Sequence, residues 1–226
     1  MKLARPDVFH PRIVLAGSPQ HAGGDGDDAG VIAALRQRGL HARRLSWDNP
    51  DTCHADLVIL RGARDYAARL EEFLAWTTRV KNLLNAPSVV AWNLGAQYLR
   101  DLESAGVPTL SDGPPRHPVA LIFFGGQRSH AFTDSRQDEP DFEVWDVGYA
   151  AIAAAAERAG VGPGELLYAR VDVNGKRVAG LDLVAPSLGW RRLDADTRGL
   201  AQREFALAVE SACERLGLGP FSHRRP

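Results

Sequence analysis

The sequence predicts an α/β layer with a parallel sheet in its first half and an α+β arrangement in its second, within a chain of 226 residues. Three observations carry this. Short apolar runs alternate with amphipathic stretches up to residue 108, the order that builds a parallel sheet with crossover helices. A proline-rich stretch, "SDGPPRHP" (111–118), then interrupts the pattern. Beyond it, strand and hairpin signals dominate, with helices set to pack on one face. The expected division is a first domain over 1–108, a connector over 109–118, a second domain over 119–220 and a tail over 221–226.

"RIVLAG" (12–17) is a short apolar run ending in glycine, a buried strand. "DDAGVIAALRQRGL" (27–40) has apolar residues at helical spacing, acids in its first turn and Gly39 near its stop. "ADLVILRG" (55–62) is the next strand. "DYAARLEEFLAWTTRV" (65–80) is an amphipathic helix that turns Leu70, Phe73, Leu74 and Trp76 toward a core. "PSVVAWN" (87–93) reads as a third strand, and "GAQYLRDLESAG" (95–106) as a helix stopped by Gly106. "VALIFFGGQRSHAF" (119–132) is two strands around Gly125–Gly126, with a polar loop at 133–141. "GYAAIAAAAERAG" (148–160) and "TRGLAQREFALAVESACERLG" (197–217) are helices.

Between those two helices lies "LYARVDVNGKRVAGLDLVAPSL" (167–188). Asn174–Gly175 is a strong two-residue turn signal, because both central positions need φ > 0. A regular turn there pairs Val173 with Lys176 and Asp172 with Arg177. Side chains alternate along a strand, so Asp172 shares a face with Tyr168 and Arg170. Asp182 falls on the opposite face, and only a bulge or a wider turn brings the two carboxylates together. The plain expectation is that Asp172 pairs with Arg177 and Asp182 is solvated.

Composition sets outer limits. Hydrophobic residues make up 45% and charged residues 24%, and net charge is −1. That gives enough apolar material for a core and no global field for nucleic acid or an anionic membrane. No apolar leader opens the chain, and a cytoplasmic protein is expected. Cys53 and Cys213 form no CxxC pair, so zinc and redox motifs are unsupported. Only Lys2, Lys81 and Lys176 are lysines among 27 basic residues, a bias that fits a GC-rich genome and leaves few lysines for chemistry.

Other clusters read as structural. "GGDGDDAG" (23–30) lacks GxGxxG spacing, and Asp25, Asp27 and Asp28 would repel pyrophosphate. An acidic helix start after a flexible loop is expected. Ser129–His130 and Cys53–His54 are sequence neighbours without a GxSxG elbow. The tryptophans are core or interface residues by type, with Trp145 and Trp190 as candidates to line a cleft.

Several phrases, in order along the chain, resemble the ATP-grasp superfamily, specifically the ligases similar to glutathione synthetase and the cycloserine-forming cyclo-ligase. They are "LSWDNPD" (45–51), "DLVILRGARDY" (56–66), "EEFLAW" (71–76), "LLNAPSVVAWN" (83–93), "YLRDLESAGVPT" (98–109), "LIFFGGQRSHAF" (121–132), "LLYARVD" (166–172) and "LDLVAPSL" (181–188). The resemblance implies a preATP-grasp-like parallel α/β domain followed by a remnant ATP-grasp C-terminal subdomain with antiparallel strands and helices. Such enzymes use ATP and Mg²⁺ to make an acyl phosphate, which an amine then attacks. The resemblance implies Arg170 as the residue near the reacting phosphate, Asp172 and Asp182 toward a metal, and Arg61, Asp65, Tyr66 and Ser187 toward substrate.

The chain also departs from that pattern. Leu94, Gly95 and Ala96 stand where the family carries threonine, an acid and a lysine. Val119 follows Pro108 by only eleven positions, where the family inserts the subdomain that carries the lid and holds adenine. Of the three acidic positions on the metal strand, Gly180, Asp182 and Ala185 keep one. "TDSRQDEPDFEVWDVGY" (133–149) puts acids where phosphate would sit. The expectation is a degenerate, non-catalytic protein with no cofactor, acting as a binding or regulatory partner. It would work as a homodimer or with a protein partner, and without nucleic acid or membrane. Two alternatives stand beside it. One is a carboxylate–amine ligase using ATP and Mg, with a shortened or partner-completed site. The other is a small-molecule binder that performs no chemistry.

Overall fold

The computed structural model describes residues 9–19, 27–110 and 118–219. Its first sheet is parallel, in the order β2-β1-β3-β4, built from β1 (Ile13–Gly17), β2 (Ala42–Ser46), β3 (Leu57–Leu60) and β4 (Leu83–Leu84). Its second is antiparallel, in the order β7-β6-β5-β8-β9. That sheet comprises β5 (Val119–Phe124), β6 (Gln127–Phe132), β7 (Gln137–Asp138), β8 (Tyr168–Asn174) and β9 (Arg177–Asp182). Among the described residues, six α-helices cover the sheets: α1 (Val31–Gln37), α2 (Leu70–Thr77), α3 (Pro87–Asn93), α4 (Tyr98–Ser104), α5 (Phe142–Ala159) and α6 (Ala195–Arg215). The fold is therefore α/β followed by α+β, as the strand and helix pattern predicts.

β1 and β3 are buried at every position, which is why they read as continuous apolar runs. β2, "ARRLS", carries two arginines at an edge of the sheet and gives no apolar signal, so pattern reading passes over it. The stretch 87–93 is helical, not a strand. Pro87 stands in the first turn, where its fixed φ suits a helix and its missing N–H is no loss, and Val89, Val90 and Asn93 fall on one buried face. The strand there is the shorter Leu83–Leu84 just before it. The helix expected at 65–80 begins as a 3₁₀ segment, Arg64–Arg69, and becomes α-helical only at Leu70. That shift leaves Leu70 40% exposed while Phe73 and Trp76 are buried. α5 starts six residues before the expected Gly148, and the polar loop at 133–141 contains the short strand β7.

Three apolar clusters follow from this layering. One lies against the outer face of the parallel sheet, where Val14, Val58 and Leu60 meet Trp47, Phe73 and Trp76. A second lies under α5, where Leu121, Phe123 and Val171 pack on Ala151, Ile152 and Ala155. The third joins the two sheets, with Ile13, Leu15 and Ile59 meeting Ile122, Phe124 and Tyr168 beneath Phe205 of α6. Gly148 permits the close seating of α5, since a Cβ there would lie 2.8 Å from both Leu121 and Phe123. Trp145 and Trp190 are both buried, the first edge-on to Phe123 and the second edge-on to Phe205, so neither lines a cleft.

Most of the expected connector, residues 111–117, lies outside the described residues, as do the tail at 221–226 and Asp25. Pro108 and the first residues of the expected connector run along β9, where Leu110 N donates to the Val178 carbonyl and Val178 N to that of Pro108.

Candidate functional site

The hairpin β8–β9 determines the site. Its two-residue turn is Gly175–Lys176, flanked by the pair Asn174–Arg177, one position later than expected. Gly175 supplies the positive φ of 62°. Past Val173–Val178 the register shifts, and Asp172 pairs with Gly180, Val171 with Leu181 and Arg170 with Asp182. Ala179 is the extra residue of a bulge. A bulge moves every later side chain of its strand to the other face. Asp182 is therefore not opposed to Asp172 across the sheet. It shares the face of Arg170 and Asp172.

The three side chains then divide their bonds. Arg170 Nε donates to Asp172 Oδ1 at 2.9 Å, so Asp172 pairs along its own strand and not with Arg177. Arg177 instead donates to the Thr109 carbonyl. Asp182 Oδ1 accepts from the backbone N–H groups of Val184 and Ala185, at 2.9 and 3.2 Å, and so caps the turn that leaves the strand. Burial and the neighbouring Asp182 push the Asp172 carboxyl above the usual carboxylate range, although Arg170 opposes them. Burial and Asp182 also raise the Tyr66 phenol.

Of these, Arg170, Asp182 and Tyr66 line a cleft of about 560 Å³, and Asp172 does not. Tyr66 reaches it from the segment after β3, and Asp27 from the turn before α1. Loops at the carboxyl ends of parallel strands are the usual place for a ligand in an α/β layer. Arg170 and Asp182 come from the hairpin, and Ala185 and Ser187 from the segment after it. Four further residues complete the wall: Asp134, in the acidic loop after β6, and Phe132, Arg191 and Arg192. The Phe132 ring lies 5.3 Å from the Arg170 guanidinium carbon and 5.4 Å from that of Arg192. Arg192 Nε donates to the Asp134 carbonyl. The only hint in the sequence is the pair of arginines that follows Gly189–Trp190. That glycine has φ +67°, and its Cα sits so close to Phe132 that a Cβ would lie 2.2 Å from the ring.

Arg61 and Asp65 are not in the cleft. Arg61 is 2% exposed. It donates to Asp28 Oδ1 through Nε and Nη2, at 2.9 and 2.6 Å, and to the Pro186 carbonyl through Nη1. Burial works against the Asp28 charge, but Arg61 and Arg44 outweigh it and hold the carboxyl below its usual range. Asp65 accepts from the Trp47 indole N–H at 3.2 Å. Both residues brace the framework. Ser187 does face the cleft, yet its hydroxyl donates to Asp27 Oδ2, which also accepts from Leu188 N and Gly189 N. Asp27 and Asp28 are thus buried anchors between the two halves of the chain, not a solvated helix start.

The donor set does not fit a metal-bound nucleotide. A hard divalent cation needs several convergent oxygens. Here Asp172 is committed to Arg170, one oxygen of Asp182 to backbone N–H groups, and Gly180 and Ala185 carry no ligand atom. Among the described residues, no group of three His, Cys, Asp or Glu side chains is placed to hold a metal ion. Also among the described residues, no helix is long and apolar enough to cross a membrane.

Comparison with known proteins places this geometry on a known fold. Residues 13–85 match the family model described as D-cycloserine synthetase DcsG, N-terminal domain. A search of curated proteins returns no match. Among solved structures, D-cycloserine synthetase DcsG is similar with a TM-score of 0.75 and 21% identity, over 90% of this chain and 99% of that one. D-alanine–D-alanine ligase from Bacillus anthracis, solved with ATP, is similar with a TM-score of 0.62 and 12% identity, over 92% and 98%. The ATP-grasp ligase PsnB, solved with a precursor peptide and a nucleotide analogue, gives 0.56 and 16%, over 92% and 100%. The chain has the ATP-grasp type of fold.

Proposed function

We propose that this ATP-grasp scaffold has become a non-catalytic binding protein that holds a small charged ligand in the cleft between its two sheets. One observation carries the reading: the carboxylates nearest a metal position are spent within the chain while the cleft beside them stays open and polar. Phosphoryl transfer needs little from a protein beyond cationic clamps and bound Mg²⁺. Lys2 lies outside the described residues, Lys81 follows α2, and Lys176 sits at the hairpin turn, ion-paired to Glu143. No described lysine therefore lines the cleft. Together with the short link between Pro108 and Val119, this favours binding without nucleotide chemistry.

Calorimetric titration with Mg²⁺ and ATP tests it. The expected result is no binding heat at millimolar ATP. A one-to-one end point would overturn the reading and restore the ligase alternative.

A further inference from the structure

We propose that Arg170 supplies, from within the chain, the positive charge that a metal ion would bring to Asp172 and Asp182, and that the cleft in consequence takes a small oxyanion without any metal. This rests on the proposed function above and deepens it. The bulge at Ala179 is the structural cause, because it alone sets Asp182 across from Arg170. Arg170 is ion-paired to Asp172 and stands directly across the strands from Asp182, so its charge offsets both carboxylates as a cation would.

The same guanidinium is only partly used. Arg170 gives Nε to Asp172, and its two Nη groups have no hydrogen-bond partner among the described residues. Arg192 likewise gives Nε to a backbone carbonyl and keeps both Nη groups without a partner among the described residues. Both guanidinium carbons lie within 5.4 Å of the Phe132 ring centre, so the two forks are held on one aromatic support beside the cleft. Arg191 lines the same wall. Planar forks with spare N–H groups match the oxygens of a carboxylate or a phosphate. In this arrangement Asp172 and Asp182 compete with the ligand for Arg170. A metal-dependent site has the opposite sign, since there the same carboxylates bring the anion in through the metal.

The test is titration of the full chain with inorganic phosphate and, in a parallel arm, acetate, each in EDTA and again in Mg²⁺. At least one anion is expected to bind one-to-one with the same affinity in both, and the arm that binds identifies phosphate or carboxylate. Asp172→Asn keeps an oxygen for Arg170 Nε but removes the charge. It should tighten binding about threefold, the scale of a partly exposed ion pair. Arg170→Met should weaken it about tenfold or more. Should Asp172→Asn fail to fold, Asp182→Asn retains the oxygen that caps Val184 and Ala185, and carries the same expectation. Loss of binding in EDTA, weaker or unchanged binding in the Asn variants, or no binding of either anion would each overturn the proposal. Mg-ATP binding would instead overturn the non-catalytic reading, whatever the anion titrations give.

Discussion

Arg61 has the residue type of a ligand contact and the burial of a core residue. Its charge is matched by Asp28, with the Tyr168 and Trp190 rings 5.7 and 5.8 Å from its guanidinium carbon. Breaking such a pair leaves an uncompensated buried charge. Asp28→Asn is therefore expected to lower stability by about 3–5 kcal/mol in urea denaturation, with a large loss even though no cleft residue changes. His130 gives a second, pH-dependent case. It is 5% exposed, and its Nε2 lies 2.7 Å from the Leu188 carbonyl, so that nitrogen carries the proton and Nδ1 faces the Ser129 hydroxyl. Burial pushes its pKa down to about 4, although the Leu188 carbonyl and Asp27 act the other way. The unfolded chain binds this proton near pH 6.5 and the folded chain only near 4. The contribution is thus complete above about pH 6.5 and is lost as pH falls toward 4. The difference amounts to about 3 kcal/mol. Denaturation curves across that range should show the loss, and His130→Gln should flatten it relative to the parent.

At the scale of elements, the bulge on β9 decides what the hairpin is. Deleting Ala179 would remove the extra residue and leave a regular ladder with Asp172 still opposite Gly180 and Arg170 still opposite Asp182. The deletion variant is therefore expected to keep Asp182 on the face of Arg170 and to keep the coupling between Asp182 and anion binding, read by anion titration with and without Asp182→Asn. Loss of that coupling would show that the face of Asp182 depends on the bulge itself and not on the pairing beyond it. That a tight turn lies near Gly175 was legible in the sequence, because a glycine there takes a positive φ at no steric cost; its placement at Gly175–Lys176, one position later than Asn174–Gly175, was not. The bulge was not, because "KRVAGLD" names no position at which the ladder must slip. Gly180, opposite Asp172, is compatible with the bulge without requiring it. The misreading of "PSVVAWN" has the same origin. A short β-branched run suits a strand or a buried helix, and the decision came from Pro87 and from what the run packs against.

At the scale of the molecule, the two sheets are fastened by polar groups as well as by apolar packing. Asn85 Nδ2 donates to the carbonyls of Tyr168 and Leu183, and its Oδ1 accepts from Leu167 N, all between 2.7 and 2.9 Å. Asn93 repeats the pattern with Leu181 and Leu183. Asn85→Ala removes three hydrogen bonds and strands buried backbone groups. It is expected to cost about 3 kcal/mol or more and to lower the thermal midpoint. Chemical denaturation followed by probes in both halves should still show a single coincident transition for the parent chain. Five large apolar side chains are exposed among the described residues: Leu70, Phe142, Leu200, Leu207 and Leu216. None lines the cleft, so the opening beside Arg170 is a polar site.

The sequence by itself determined most of the alternation of strands and helices, the hairpin turn at Gly125–Gly126, the second hairpin to within one residue, and the order of the two halves. Those features follow from periodicity and turn chemistry within a few residues of each position. It also placed Arg170, Asp182, Tyr66 and Ser187 among the candidates, and all four line the cleft. Only the tertiary structure decided which carboxylates meet which arginines. Asp28 finds Arg61 across 33 residues, and Asp27 finds Ser187 across 160. Charge pairing over such separations depends on how two sheets seat against each other, and a single residue of register reverses it.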